Sequence, residues 1–366
     1  MKWEIAKLGK IAIIRTGKLD SNAAVIGGRY PFFTCDPNTL SIDVWAYDTE
    51  AVLLAGNNAS GNYTAKYYKG KFNAYQRTYI IESTNEEKLN IRYLCYALNQ
   101  QLQLLKTMSS GSTTKFLTVR MLDNLDIPLL GINIQTQIVN ILSAYDDLIE
   151  NNQKQIKLLE EAARRLYKEW FVDLRFPGHE NTKIVDGVPE GWRISSIYDV
   201  FDIKYGKNLP TSKITKAGQY PVYGASGVIG YYNEKNCDDY ATLVTSRGNG
   251  SGDVFRTHHK QSYITNNSFI ARRNDKNSFI ENEFTFQLFS NTDFKKLCTG
   301  SAQPQLTNTS IQKIKILLPN RQLIEKYQRC TIEMSEKQEA LYQEQRALTQ
   351  ARNRLLPKLM NGTVEV

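Results

Sequence analysis

The chain has 366 residues, 41% of them hydrophobic and 23% charged, with 46 Lys+Arg against 37 Asp+Glu for a formal charge of +9. That size suggests two or three domains and the composition excludes wholesale disorder; no run reaches the roughly 18 apolar residues of a membrane-spanning helix. The positive balance favours a polyanionic partner.

The opening MKWEIAKLGK has no apolar run followed by a small-residue cleavage site, so no signal peptide is read and a cytoplasmic location is expected. The first mixed stretch, residues 1–133, carries 15 basic and 11 acidic side chains. Its short runs YPFFT, AVLLA and RTYII, bounded by Gly, Asn and Pro, predict strands. Segment 88–107 predicts a helix, and LDIPLL at 125–130 a closing strand.

Residues 134–175 follow, near neutral with 6 basic and 7 acidic groups. Ile138, Leu142, Tyr145, Ile149, Asn152, Ile156, Leu159, Ala163, Leu166 and Trp170 recur in alternating steps of four and three. That step is the seam of a long coiled-coil helix, with Asn152 its one polar member. Pro177 and Gly178 stop it.

The second mixed stretch, residues 176–319, carries 17 basic and 13 acidic groups. ATLVTS and SFIAR predict strands, 283–298 a helix, and IKILLP at 314–319 a closing strand. Residues 320–366 repeat the long helix, with a seam of Leu323, Tyr327, Cys330, Met334, Lys337, Leu341, Glu344, Leu348, Ala351 and Leu355, interrupted at Lys337 and Glu344.

The chain is thus written twice. Trp3 and Trp192, Gly17 and Gly206, and Lys18 and Lys207 each lie 189 apart, and Tyr30-Pro31 and Tyr220-Pro221 lie 190 apart. Gly111-Ser112 matches Gly300-Ser301, and Leu117-Thr118 matches Leu306-Thr307, again at 189. An offset held within two residues over more than 100 positions marks an internal repeat. The expected fold is therefore two pseudo-symmetric α/β (α+β) globular domains, 1–133 and 176–319, each followed by a long helix. Antiparallel pairing of the helices about a central two-fold would bring Asn152 and Lys337 together, with Ile149, Ile156, Leu159, Met334, Leu341 and Leu348 alongside. The other arrangement is two separate docking faces for other subunits.

Catalytic patterns are missing. There is no GxxxxGK[ST], no HExxH and no GxSxG, and Asp36-Pro37-Asn38-Thr39 does not match the Pro-Pro-aromatic motif of amino-methyltransferases. Asp238 and Asp239 are adjacent and on a strand would face opposite ways. His258-His259 reads as an exposed or polar pair, and no metal ligand set is expected. The five cysteines include no CxxC pair, which predicts reduced thiols.

The loops suit nucleic acid. GNNASGNYTAK (56–66) and TSRGNGSGDVFR (245–256) stand at equivalent places and mix Asn, Ser, Gly and a cation. Asn and Gln bond adenine edges, Arg bonds guanine, and Ser, Lys and backbone N–H groups hold phosphates. Candidate DNA contacts are Lys18, Asn57, Asn58, Ser60, Asn62, Lys66, Arg77 and Lys115 in the first copy. In the second they are Lys207, Arg247, Asn249, Ser251, Arg256, Asn266, Asn267 and Gln303.

RRLYKEWFVDLRFPGHE (164–180), GSAQPQLTNTSIQKIKILLP (300–319) and RNRLLPKLMNG (352–362) carry a further signal. With two globular segments each followed by a long helix, they resemble the specificity (S) subunit of type I restriction–modification systems. The Trp-Phe-x-Asp-aromatic-Arg-Phe-Pro exit of that family is matched by Trp170 to Pro177, with Leu174 at the aromatic position. Its Gly-Ser-x-Gln-Pro-x-Leu segment is matched by Gly300 to Leu306; the first copy has Thr114-Lys115 in place of Gln-Pro. The resemblance implies two target-recognition domains that read the halves of a bipartite, asymmetric double-stranded DNA site. It implies an antiparallel coiled-coil spacer that docks two methylation (M) subunits, with restriction (R) subunits joining later. No cofactor is implied in this chain; S-adenosylmethionine, ATP and Mg belong to those partners. A stand-alone two-domain DNA-binding protein and an assembly scaffold are the alternatives.

Overall fold

Residues 4–58, 63–109, 115–300 and 303–364 are described by the structure, a computed structural model. The chain divides into two units, residues 1–150 with 346–366, and residues 151–345. Each unit therefore holds one mixed segment and part of both long helices.

In the first unit a six-stranded sheet runs in the order Ala12–Thr16, Thr78–Ser83, Tyr47–Ala55, Ala65–Ala74, Tyr30–Phe33, Leu40–Ile42. All pairs are antiparallel except Tyr30–Phe33 with Ala65–Ala74. Residues 51–55 are buried on both faces, which explains their unbroken apolar run. Val52 and Leu54 join the core under helix Ile91–Gln100, while Ala51 and Leu53 pack with Phe33, Phe72 and Ile80 on the other side. That alternation is the two-residue period of a strand. Asn90 caps the helix by accepting a hydrogen bond from the Tyr93 N–H at 3.1 Å. The region expected as one helix over 88–107 is two, Ile91–Gln100 and Leu102–Met108.

The second unit repeats the strand order with a break. Phe201–Tyr205, Ser268–Arg273, Thr242–Thr245 and Val254–Arg256 form one antiparallel sheet, and Val228–Tyr232, Tyr220–Tyr223 and Tyr263–Ile264 form another. The long strand Ala65–Ala74 of the first unit corresponds to two short strands here, separated by residues 257–262. Helix Asn282–Ser290 covers the sheet with Phe284, Leu288 and Phe289. Each unit also closes its termini in a two-stranded ribbon, Glu4–Lys7 with Asp126–Leu129 and Arg193–Ser196 with Lys315–Leu318.

The long helices are Ile132–Tyr167, extended by a π-turn over Lys168–Val172, and Arg321–Met360. Every seam residue expected on the first helix is buried or half-buried. The helices pair antiparallel within each unit. In the first, Ile138 and Leu142 share a core with Leu359 and Met360, and Asp146 bonds Arg352. In the second, the Asn152 Nδ2 donates to Glu344 Oε2 at 3.1 Å, and the Tyr327 hydroxyl donates to the Ala163 carbonyl at 3.2 Å.

The seam of the second helix differs from expectation. Tyr327, Leu341, Leu348 and Leu355 lie inward, but Cys330, Lys337, Glu344 and Ala351 are exposed. Their places are taken by Thr331, Gln338, Gln345 and Arg352, one residue later. Lys337 is therefore no partner of Asn152. The step of four and three is kept, while alternate positions carry polar groups: the Thr331 hydroxyl donates to the Tyr327 carbonyl at 3.2 Å, and the Gln338 side-chain oxygen accepts from Arg256 at 2.9 Å. Among the described residues no helix is long and apolar enough to cross a membrane.

Candidate nucleic-acid interface

The same three segments meet at one end of the central strands in each unit. In the first, the Gly56 N–H donates to the Arg77 carbonyl at 2.8 Å, and the Leu117 N–H donates to the Gly56 carbonyl at 2.8 Å. In the second, the Ser246 N–H donates to the Asn267 carbonyl at 2.8 Å, and the Leu306 N–H donates to the Ser246 carbonyl at 2.9 Å. Asn57-Asn58 pair with Lys115-Phe116, as Arg247 bridges to Gln305.

A glycine locks a fourth segment beside each turn. A Cβ on Gly17 would lie 2.1 Å from the Ala74 carbonyl oxygen, and one on Gly206 would lie 2.2 Å from that of Thr265. Only a hydrogen side chain allows this approach. The Gly17 N–H bonds the Thr78 carbonyl and the Gly206 N–H that of Ser268, which sets Lys18 and Lys207 next to the 75–78 and 265–268 turns. Both lysines are exposed.

Candidates brought together are therefore Lys18, Asn57, Asn58, Arg77 and Lys115 in the first unit. In the second they are Lys207, Arg247, Asn249, Asn266, Asn267 and Gln303. Arg77, Arg247, Asn249, Asn267 and Gln303 are exposed, and Asn57, Asn58, Lys115 and Asn266 half-buried. Arg247 is held between two fixed neighbours, since the Gly248 N–H donates to the Pro304 carbonyl at 3.1 Å. Gln303 lies within the loop joined by the Thr299–Gln305 bridge, where Gly300 adopts φ +91°. The surface thus offers guanidinium and amide groups on a braced backbone, with a lysine at its margin. That combination suits base edges flanked by phosphates.

Three candidates have other work. Lys66 is half-buried, and its Nζ donates to the Asp36 carbonyl and Thr39 Oγ1 at 3.3 and 3.2 Å, tying a neighbouring turn. Burial lowers its pKa, against the pull of Asp36. Ser251 is 4% exposed and bonds the Ser246 carbonyl, so it braces the glycine turn from inside. Arg256 points away from the loop into an ion cluster with Glu283 at 2.5 Å, Gln338 at 2.9 Å and Glu160 at 3.4 Å. The strand alternation after the turn sends it inward. Ser60 and Asn62 lie outside the described residues.

The histidine pair makes polar and stacking contacts. His259 Nδ1 lies 2.8 Å from the Tyr223 hydroxyl, and His258 stacks on Tyr342 with centroids 3.9 Å apart. Among the described residues no His, Cys, Asp and Glu group is placed to hold a metal, and the five cysteines are free thiols.

A sequence model described as the type I restriction modification DNA specificity domain matches residues 1–161 and again 189–343. Curated relatives include the type I restriction enzyme EcoDI specificity subunit of Escherichia coli, 31% identical over 60% of this chain and 52% of the relative. The MjaVIII specificity subunit of Methanocaldococcus jannaschii is 23% identical over 87% of this chain and 82% of its own length. The chain thus spans about half of the first relative's length. Among solved structures, the S subunit of a type I restriction–modification system from M. genitalium superposes with a TM-score of 0.63. It is 20% identical, covering 98% of this chain and 96% of that one, and shares the fold. Two matched copies, each coinciding with one set of converging segments, place the chain in the type I restriction–modification DNA specificity family.

Proposed function

We propose that this chain is the DNA-reading specificity subunit of a type I restriction–modification complex. Each unit reads one half of a bipartite double-stranded site, and the long helices set the half-site spacing and dock two methylation subunits. The two surfaces differ, Asn57-Asn58-Arg77-Lys115 against Arg247-Asn249-Asn267-Gln303, which favours an asymmetric target. The chain contributes no chemistry to methylation or cleavage. S-adenosylmethionine serves the methylation subunits, and ATP and Mg serve the restriction subunits.

The observation that carries this reading is the recurrence of one hydrogen-bond pattern at the loop edge of both units, 189–190 residues apart, within the two copies of the family domain. The test is co-expression with a methylation subunit and mapping of N6-methyladenine across host DNA. A single bipartite, asymmetric motif is expected. A stable complex that methylates nothing would instead make the chain a scaffold, and solo sequence-specific binding without any complex would make it an independent regulator.

A further inference from the structure

We propose that each half of the chain carries an ionic clamp between its reading domain and the long helices, and that these clamps confine the protein to one half-site spacing. This rests on the DNA-reading function above. Arg256 follows the 248–253 turn by three residues and reaches three elements at once. It donates to Glu283 on the domain's own helix, to Gln338 on the second long helix, and lies 3.4 Å from Glu160 on the first. Its guanidinium carbon sits 4.4 Å from the centre of the Phe286 ring. Glu283 also accepts from Gln287 at 2.9 Å, and Glu160 from the Tyr342 hydroxyl at 3.2 Å.

The first unit builds the same tie from other residues. Tyr67 sits opposite Val52 as Arg256 sits opposite Thr242. The Arg92 guanidinium lies 5.3 Å from the Tyr67 ring centre and bonds Asp147 on the first long helix at 3.0 Å. The Tyr96 hydroxyl donates to Asp146 at 2.5 Å, and Arg352 of the second long helix bonds the same carboxylate at 2.6 Å. Arg92 and Glu283 both stand two residues after the helix cap. The repeat thus keeps a tie at one place while reversing its charge.

An ion cluster that is only partly buried, as these are, is a poor route to stability alone. Its planar, multiply bonded guanidinium does fix an angle, which apolar contacts leave freer. A reader held at one angle on its helices accepts one separation of half-sites.

The test uses the full chain in complex with its methylation subunits, on DNA in which both half-sites stay constant and the gap varies by one or two base pairs. The starting protein methylates one gap. Arg256→Met fills the space without the bonds, and is expected to raise methylation at neighbouring gaps about tenfold, as loss of a charged hydrogen bond implies, with the same half-site bases. Arg256→Lys restores part of the discrimination. Asp147→Asn, in the other unit, is expected to act in the same direction but more weakly, because Asp147 is 66% exposed. A single unchanged gap in both Arg256→Met and Asp147→Asn overturns the clamp, as does a change in half-site bases, which would make Arg256 a base reader. Failure of the starting protein to methylate any gap removes the DNA-reading function itself, and the clamp with it.

Discussion

Arg247 and Lys207 carry equal charge at the same end of the second unit, but their geometry gives them different roles in the proposed function. Arg247 projects from a backbone pinned on both sides, so in the DNA-reading function proposed above its fork would meet a base at a set angle. Arg247→Ala is expected to cost about 1–3 kcal/mol and relax choice at one base position. Lys207→Ala is expected to weaken all sequences alike and reduce the salt slope by about 1; titration at several salt concentrations separates the two. His258 gives a pH prediction. Burial, then the charges of Arg256 and His259, depress its pKa to about 4. The unfolded ring, near 6.5, takes a proton that the folded one refuses, so stability present above pH 6.5 is lost as pH falls toward 4. The second unit should lose about 2 kcal/mol between pH 7 and pH 5. His258→Phe, which keeps a ring on Tyr342, should flatten that loss in urea unfolding.

At the scale of elements, the second long helix offers the sharpest comparison. Leu341 is 2% exposed and Lys337 is exposed, although both fall on the seam predicted from sequence. Leu341→Ala should cost about 2–4 kcal/mol in chemical unfolding, and Lys337→Ala less than about 0.5. The first seam was legible because Ile, Leu and Trp announce it. The second was misphased because Thr331, Gln338 and Arg352 look like surface residues, while Cys330 looks like core. The strands and the recurring glycines were legible from β-branched runs and turn residues. Arg256 was not, since a basic residue after a glycine-rich turn has one chemistry whether it meets phosphate or Glu283. The clamp residues Arg92, Asp146, Asp147 and Arg352 were missed for the same reason: charges on helices read as solvated faces until a distant partner is known.

For the whole molecule, the proposed function makes half-site spacing a matter of helix length. One heptad lengthens a helix by about 10 Å, which corresponds to about three base pairs of duplex. Inserting one heptad in both long helices should therefore lengthen the unspecified gap by about three base pairs and leave both half-sites unchanged. Methylation mapping reads this directly, and an unmoved gap would separate helix length from target spacing.

The first unit is also assembled from two segments far apart in sequence, since Leu359 and Met360 lie in the same core as Leu8 and Leu54. A ribosome completes the second unit before it delivers the last residues of the first. The earlier-made half must therefore wait, with part of its core open, until the residues after 345 have been made. A chain truncated after residue 345 would carry every residue of the second unit and an incomplete first unit. The codons for residues 346–366 thus guard the half that was made first, and a change in them is felt in the folding of residues 1–150.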